Sequence, residues 1–372
     1  MRIQNRLSEV RRRRGLSAAD LASKAGVKRQ TIYAIEAQKF VPNTLVALRL
    51  AQILEVGVEE LFSIEPVPAP PDRPRTVDLL TTHGDRGQPD QPVRLCRIGR
   101  RIIAVPSPPL VGELPPADAL VVGSAKAGRT LVRTIPVEEE AKNRLIAAGC
   151  DPAMPVLSRY LSKHADIDLI TPGCSSTQAL TWLRERKIHI AGTHLRDEAR
   201  GGSSQAIVER FLPKDSFRIV TFASWEEGLV VAEANPKRIR SVADLVRPDV
   251  VLINREVGAG SRFLLDGCLS KEGIPPARVR GYQQTASGHI LAAWHVYSGK
   301  ADCCIATRAA ARVFSLGFIP LVNERYDLVI PLRYWGTHAV QAVLDSLNRS
   351  SLRAELEAIG GYDTTQTGRL VT

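Results

Sequence analysis

The chain has 372 residues, a formal net charge of +11, and a composition that is 44% hydrophobic and 24% charged. That length exceeds one small domain and allows two or three, each with its own core. The longest apolar runs, such as Gly228 to Ala232, are far too short to cross a bilayer, and the polar, basic start lacks the apolar core of a signal peptide, so the expectation is a soluble cytoplasmic protein without a membrane partner.

Residues 1–62 carry the pattern of a five-helix module. Ser17 is a good N-cap, and the stretch Ala18 to Ala25 sets Leu21, Ala22 and Ala25 on one face before Gly26 supplies a left-handed turn residue. A second helix starts at Lys28 or Arg29. In it Ile32 and Ile35 point inward, leaving Arg29, Gln30, Thr31, Tyr33 and Ala34 facing out. Helix, short glycine turn, helix is an arrangement that reads DNA. Eleven Lys or Arg against six Asp or Glu give this segment a net charge of +5, which suits a polyanionic partner.

On the residues Arg12 to Ser17, Asp20 to Ala22, Gly26-Val27, Arg29 to Ile32, Ile35-Glu36 and Leu54 to Phe62, the segment closely resembles the Cro/repressor-type helix-turn-helix family, also called the xenobiotic-response-element family. The resemblance implies that the helix Lys28 to Ala37 enters the major groove of double-stranded DNA. The candidate contacts are Arg14, Ser17, Lys28, Arg29, Gln30, Thr31 and Tyr33. Gln pairs bidentately with adenine and Arg with guanine, which makes Gln30 and Arg29 the leading base readers. Two positions depart from the family: Lys28 replaces the usual Ser or Thr cap, and Ala18 replaces a frequent Gln, removing one phosphate contact. The run Arg11 to Arg14 reads either as a solvated helix end or as phosphate contacts; beside a matched helix-turn-helix the second is the better reading. Such modules bind paired half-sites, so a homodimer is expected.

Ser63 to Arg75 holds five prolines in thirteen residues, which excludes a helix or central strand and marks a linker. From 76 to 140, short apolar runs at Val77, Val93 and Ala119, separated by Gly, Pro and Asp clusters, predict a small β-rich connector of undecided role. From 141 to 372 the pattern alternates between strand and helix, predicting an α/β domain with a largely parallel sheet. Ligands of such sheets gather at strand carboxyl ends.

The segments GCDPAMPVLSRYL, PGCSSTQALTWL, HIAGTHLRD, EEGLVVAEANP, NREVGAGSRFLLD, SGHILAAWHVYSGKADCCIAT and FIPLVNERYDLVIP together resemble the type II periplasmic-binding-protein-like domain found fused to helix-turn-helix regulators and to molybdopterin-biosynthesis-type proteins. The resemblance implies two α/β lobes joined by crossover strands with a small ligand clamped between them. It places the first crossover near Asn235-Pro236 and the return at Phe318 to Pro331. The residues support an anion clamp: Ser175, Ser176 and Thr177 lead into one helix and Ser261 and Arg262 into another, where free N–H groups favour an anion and the guanidinium can bind one bidentately. Ser175 and Ser261 also have a plain reading as helix caps. Asp151, Thr193, His194, Ser287, His289 and Tyr326 complete the candidates, although both histidines read more simply as neutral, hydrogen-bonded core residues.

Six scattered cysteines show no C-x-x-C pair and seven histidines no H-E-x-x-H spacing, so reduced thiols, no metal and no cofactor are expected. No nucleotide loop, nucleophile elbow or paired-acid motif points to catalysis. The fold expected is thus an all-α helix-turn-helix domain, a small β-rich connector and a two-lobed α/β periplasmic-binding-protein-like domain. The function expected is transcription regulation in response to a small effector, a molybdate-type oxyanion or a small organic acid. The alternative is an enzyme or sensor acting on a small organic anion.

Overall fold

The computed structural model of the chain describes residues 3–64, 74–81, 87–108, 114–125, 128–135, 143–195 and 204–371. Two compact units make it up, Met1–Asp72 and Arg73–Thr372. Most of the proline-rich linker, residues 65–73, lies outside the described residues.

Among the described residues the first unit has five helices, Leu7–Arg13, Ala18–Ala25, Arg29–Glu36, Thr44–Leu54 and Val58–Leu61. Leu7, Leu21, Ile32, Ile35, Leu50, Leu54 and Leu61 are fully buried at their centre. Ser17 starts the second helix through a capping box: its Oγ accepts from Asp20 N at 3.1 Å, and Asp20 Oδ2 accepts from Ser17 N at 3.2 Å. Gly26 ends that helix at φ +70°, the left-handed turn its lack of a Cβ permits. A short antiparallel pair, Ile3–Asn5 with Phe62–Ile64, joins the two ends of the unit. Three-residue strands carry too little periodicity to be seen in a sequence.

The second unit begins with a closed five-stranded barrel in which Arg75–Leu79, Arg101–Pro106, Pro92–Ile98, Ala119–Ser124 and Arg129–Thr134 are successive neighbours. The barrel is not an isolated connector. Its Cys96, Ile98, Ile103 and Val105 share one core with Ile146, Ala148 and Ile170 of the following sheet and Leu180 of the helix packed on it. Across the same seam Arg144 pairs with Asp118 at 2.5 Å and with Asp168 at 2.6 Å, and Arg94 pairs with Asp168. Burial alone would raise Asp168, but the two guanidinium groups hold it below the usual carboxylate range.

The main sheet runs Thr285–Ala286, Leu252–Arg255, Cys303–Thr307, Phe217–Val231, Gly317–Pro331, Ile190–Thr193, Arg144–Ala148, Asp168–Ile170, with Tyr362–Asp363 paired to Phe217–Val231. It is mixed rather than largely parallel. Parallel pairs occur within each flank, whereas the two fifteen-residue strands at the centre pair antiparallel with each other and with their neighbours. These long strands are the crossovers. The first is Phe217–Val231, upstream of the expected Asn235-Pro236, which falls in the turn after it; the second, Gly317–Pro331, contains the expected return. Helices Met154–Ala165, Ser176–Arg184, His338–Leu347 and Ser350–Ile359 belong to the first lobe, and Gly260–Lys271, His289–Tyr297 and Arg308–Val313 to the second.

His189 shows how this sheet satisfies a buried polar group. Its Nδ1 accepts from Ile146 N at 3.1 Å, its ring packs edge-on against Tyr334, and burial, aided by Arg333, lowers its pKa from 6.5 to about 4. The unfolded chain therefore binds a proton between these values that the folded chain refuses; the stability is complete above pH 6.5 and is lost as pH falls toward 4. Denaturant titrations at pH 7 and pH 5 should show the wild type losing about 2 kcal/mol more than His189→Gln. Equal losses would show that His189 does not titrate this way.

Candidate functional site

On the first unit, the helix Arg29–Glu36 presents Arg29, Gln30 and Tyr33 to solvent, with Thr31 half-buried and Lys28 exposed at its N-cap. Arg29 Nη2 donates to Tyr33 Oη at 2.7 Å and its guanidinium lies 5.3 Å from that ring's centroid, so the two side chains brace each other one turn apart. Lys28 makes no side-chain cap, and Ser17 Oγ is committed to its own helix start. The arginine run divides. Arg11 is buried and donates to both Glu36 carboxylate oxygens, at 2.6 and 3.2 Å, and to Leu16 O at 2.8 Å; it is a core strut between the first helix and the end of the recognition helix, not a phosphate contact. Arg14 stays near the surface but donates to Glu55 O at 3.1 Å and meets Glu55 Oε2 at 3.4 Å. Arg12 and Arg13 are exposed.

In the second unit the two glycine-serine loops do face each other. Thr177 Oγ1, from the loop that opens the first-lobe helix Ser176–Arg184, donates to Gly258 O in the second lobe at 3.1 Å. A Cβ on Gly260 would fall 2.3 Å from His194 Cε1, so only glycine lets the second-lobe helix start against that imidazole. Tyr326 Oη is seated in the same manner between Gly149 and Gly192, where either Cβ would come within 1.9 Å of it.

Between the loops lies a buried polar cluster. His194, at the end of the strand Ile190–Thr193, contacts Glu324 through Nδ1 and approaches Glu227 Oε2 at 3.7 Å. Burial alone would lower His194, but Cys150 and Glu324 raise it well above 6.5, so it forms a charged pair with Glu324. His289 opens the helix of the opposite lobe, with Nδ1 3.8 Å from Glu227 Oε1. Burial, Arg255 and His194 hold His289 well below 6.5, so this contact joins a neutral ring to Glu227 and is not an ion pair. Ser261 Oγ donates to Glu227 and accepts from Arg255 Nη1 at 3.3 Å, while Arg255 engages Glu256 with Nε and Nη2 at 2.9 and 3.1 Å. Asp151 accepts from Ala153 N at 2.6 Å and Tyr362 Oη at 2.8 Å, and burial pushes it to about 7. Burial and nearby Glu324 also raise Glu227.

Of the residues expected from the sequence, Asp151, Ser176, His194, Ser261 and Tyr326 are buried around this cluster. Ser176 accepts from His194 N at 3.5 Å, and Thr177 makes the contact between lobes. Ser175 caps its helix, accepting from Gln178 N at 3.2 Å. Two expectations are corrected. Arg262 turns away, donating to Arg255 O at 3.1 Å and lying 4.9 Å from the Tyr282 ring centroid, because its position on the helix faces the preceding strand. Ser287 is exposed ahead of Gly288. The buried guanidinium is that of Arg255, which sequence reading passed over together with Cys150, Trp225, Glu227 and Glu324. A signal was present: Glu227 sits next to the apolar run Gly228 to Val231, and an acid at the edge of such a run needs a reason when it is buried.

Residues 158–348, half of the chain, match the family described as a PBP superfamily domain, and residues 7–61 match a helix-turn-helix family. The chain is 33% identical over 234 residues to the uncharacterized protein YvgK of Bacillus subtilis strain 168, an overlap of 63% of this chain and 75% of that one. It is 40% identical over 63 residues to the uncharacterized HTH-type transcriptional regulator MJ0272 of Methanocaldococcus jannaschii, covering 17% of this chain and 96% of that protein. Among solved structures, a putative phosphate ABC transporter substrate-binding protein from Clostridium perfringens superposes with a TM-score of 0.45 at 14% identity, over 59% of this chain and 98% of that one. The chain belongs to the PBP superfamily domain family, with a helix-turn-helix domain ahead of that module. It is a helix-turn-helix transcription regulator with a periplasmic-binding-protein-like ligand-binding domain.

The packing at Gly192 yields a direct check. Gly192→Ala drives a methyl into Tyr326 and should cost about 1–3 kcal/mol in denaturant unfolding. Gly173→Ala, with nothing within 4 Å of its Cβ, should stay within about 0.5 kcal/mol of wild type. Equal effects would mean that Tyr326 is not seated as described.

Proposed function

We propose that this is a one-component cytoplasmic regulator whose N-terminal helices read operator DNA as a homodimer, under the control of a small effector held between the two lobes. One observation carries the reading. Among the described residues, Asp151 Oδ2, His194 Nε2, Trp225 Nε1, Glu227 Oε2, both ring nitrogens of His289 and Tyr326 Oη are buried without a hydrogen-bond partner, and all belong to the cluster between the loops. Buried polar groups are ordinarily paired, and each orphan costs about 1–3 kcal/mol. Seven at one place describe a site whose partner comes from outside.

A small oxyanion, molybdate among them, is the effector these groups favour, with a small organic acid as the alternative. Helix starts at Ser176 and Gly260 offer backbone N–H groups, and Trp225 and Tyr326 add donors. Arg255, held by Glu256 and Ser261, takes the place beside the cluster first assigned to Arg262. An effector that binds the closed arrangement better than an open one shifts the population toward closure, which is how it would bias DNA binding.

Fluorescence anisotropy on DNA upstream of the protein's own gene should show binding that weakens steeply with salt. Gln30→Ala should cost about 1–3 kcal/mol, while Arg12→Ala should lower the salt slope by about one. The absence of any salt-sensitive affinity would overturn the regulator reading. In thermal-shift assays molybdate, sulfate or phosphate should raise the melting temperature of wild type and Arg262→Ala but much less that of Tyr326→Phe. If no oxyanion or small carboxylate does so, the anion assignment fails; turnover of an organic anion would replace it with the enzymatic reading.

A further inference from the structure

We infer that Cys150, His194 and His289 form a binding site for a divalent transition-metal ion of the zinc class. The inference rests on the reading of the interlobe cluster as a ligand site and names one ligand of it.

Cys150 Sγ and one ring nitrogen from each of His194 and His289 lie within 4.8 Å of one another. A zinc ion with bonds of about 2.3 Å to sulfur and about 2.0 Å to nitrogen holds such atoms roughly 3.5 Å apart, so closure on an ion asks for movements of about 1 Å. Glu227 is an acidic neighbour of the group, 3.7 Å from His194 Nδ1 on the side turned to Glu324 and 3.8 Å from His289 Nδ1. One thiol and two imidazoles, with a fourth position open, suit zinc, cobalt or nickel, whereas magnesium and calcium favour oxygen donors alone.

The surroundings have the form of a metal site's outer shell. His194 spends Nδ1 on the Glu324 carboxylate, leaving Nε2 buried and unpartnered, so that an ion binding there takes the place of its proton. A carboxylate on one ring nitrogen is what commonly orients an imidazole for an ion on the other. Glu227 is similarly fixed by Ser261, itself held by Arg255. His289 is buried with neither nitrogen partnered. His189, a core histidine in the same sheet, shows the contrast, since its Nδ1 is satisfied by a backbone N–H. Cys150 and His194 come from the first lobe and His289 from the second, so an ion here ties the two lobes together.

The test uses the full-length, metal-stripped protein with Co²⁺ as probe. Wild type should take up Co²⁺ with the intense visible bands of a four-coordinate site and a near-ultraviolet thiolate-to-cobalt band. Cys150→Ser should lose the ultraviolet band, Cys268→Ser should keep it, and His289→Gln should bind at least tenfold more weakly. Circular dichroism establishes that each variant is folded. Zn²⁺ should raise the melting temperature of wild type but not of the Cys150→Ser, His289→Gln double variant, and Mg²⁺ should not raise it for either. Failure of folded wild type to bind Co²⁺, or survival of the thiolate band in Cys150→Ser, overturns the inference. An oxyanion shift that persists in the stripped protein when no metal binds defeats the metal site and leaves the effector reading standing; metal uptake without a response to any oxyanion or small carboxylate retains the metal site and defeats the anion assignment.

Discussion

The antiparallel pairing of Phe217–Val231 with Gly317–Pro331 is the constraint on which the second unit depends. In its register Trp225 stands opposite Glu324 and Ala223 opposite Tyr326. Because side chains alternate along a strand, Trp225 and Glu227 share one face with Glu324 and Tyr326. A slip of one residue would put Trp225 and Glu227 on the opposite face from Glu324 and Tyr326. The same ladder carries the chain from one lobe to the other and back, so the pairing that connects the lobes also places the polar groups between them.

The two units handle buried charge in opposite ways. In the first, Arg11 and Glu36 satisfy each other with two hydrogen bonds, and Leu16 O takes a third. Such a pair fixes the packing of one helix against another and has no capacity for a further partner. The interlobe cluster is built from the same residue types and is left with acceptors and donors in excess. Hydrogen-bond closure thus separates a structural ion pair from a site, even though both are deeply buried.

What could be read from the sequence follows the range of the physics involved. The helix-turn-helix was visible because caps, a left-handed glycine and an i, i+3 apolar pair are local, and Ser17, Gly26, Ile32 and Ile35 all behave as their spacing says. The α/β alternation was visible for the same reason. The antiparallel centre was not, because strand direction is decided by partners a hundred residues away. Arg262 was favoured as the anion's cation on sequence proximity to a glycine loop, yet helix geometry gives its guanidinium to Tyr282 and Arg255 O. Cys150, His194, Glu227 and His289 are separated by 44, 33 and 62 residues, so no spacing rule could assemble them. Only the unpaired atoms mark them as a group.

The seam between barrel and sheet has its own consequence. Arg144 and Asp168, which stitch the barrel to the first lobe, begin the two strands whose far ends open into Cys150-Asp151 and Cys174-Ser175. Each strand is a stiff rod of three to five residues. The barrel therefore grips the first lobe at the ends of these strands opposite the buried polar cluster. A displacement of those loops would reach the barrel through only two short paired strands, and the barrel's first strand is where the chain emerges from the proline-rich stretch.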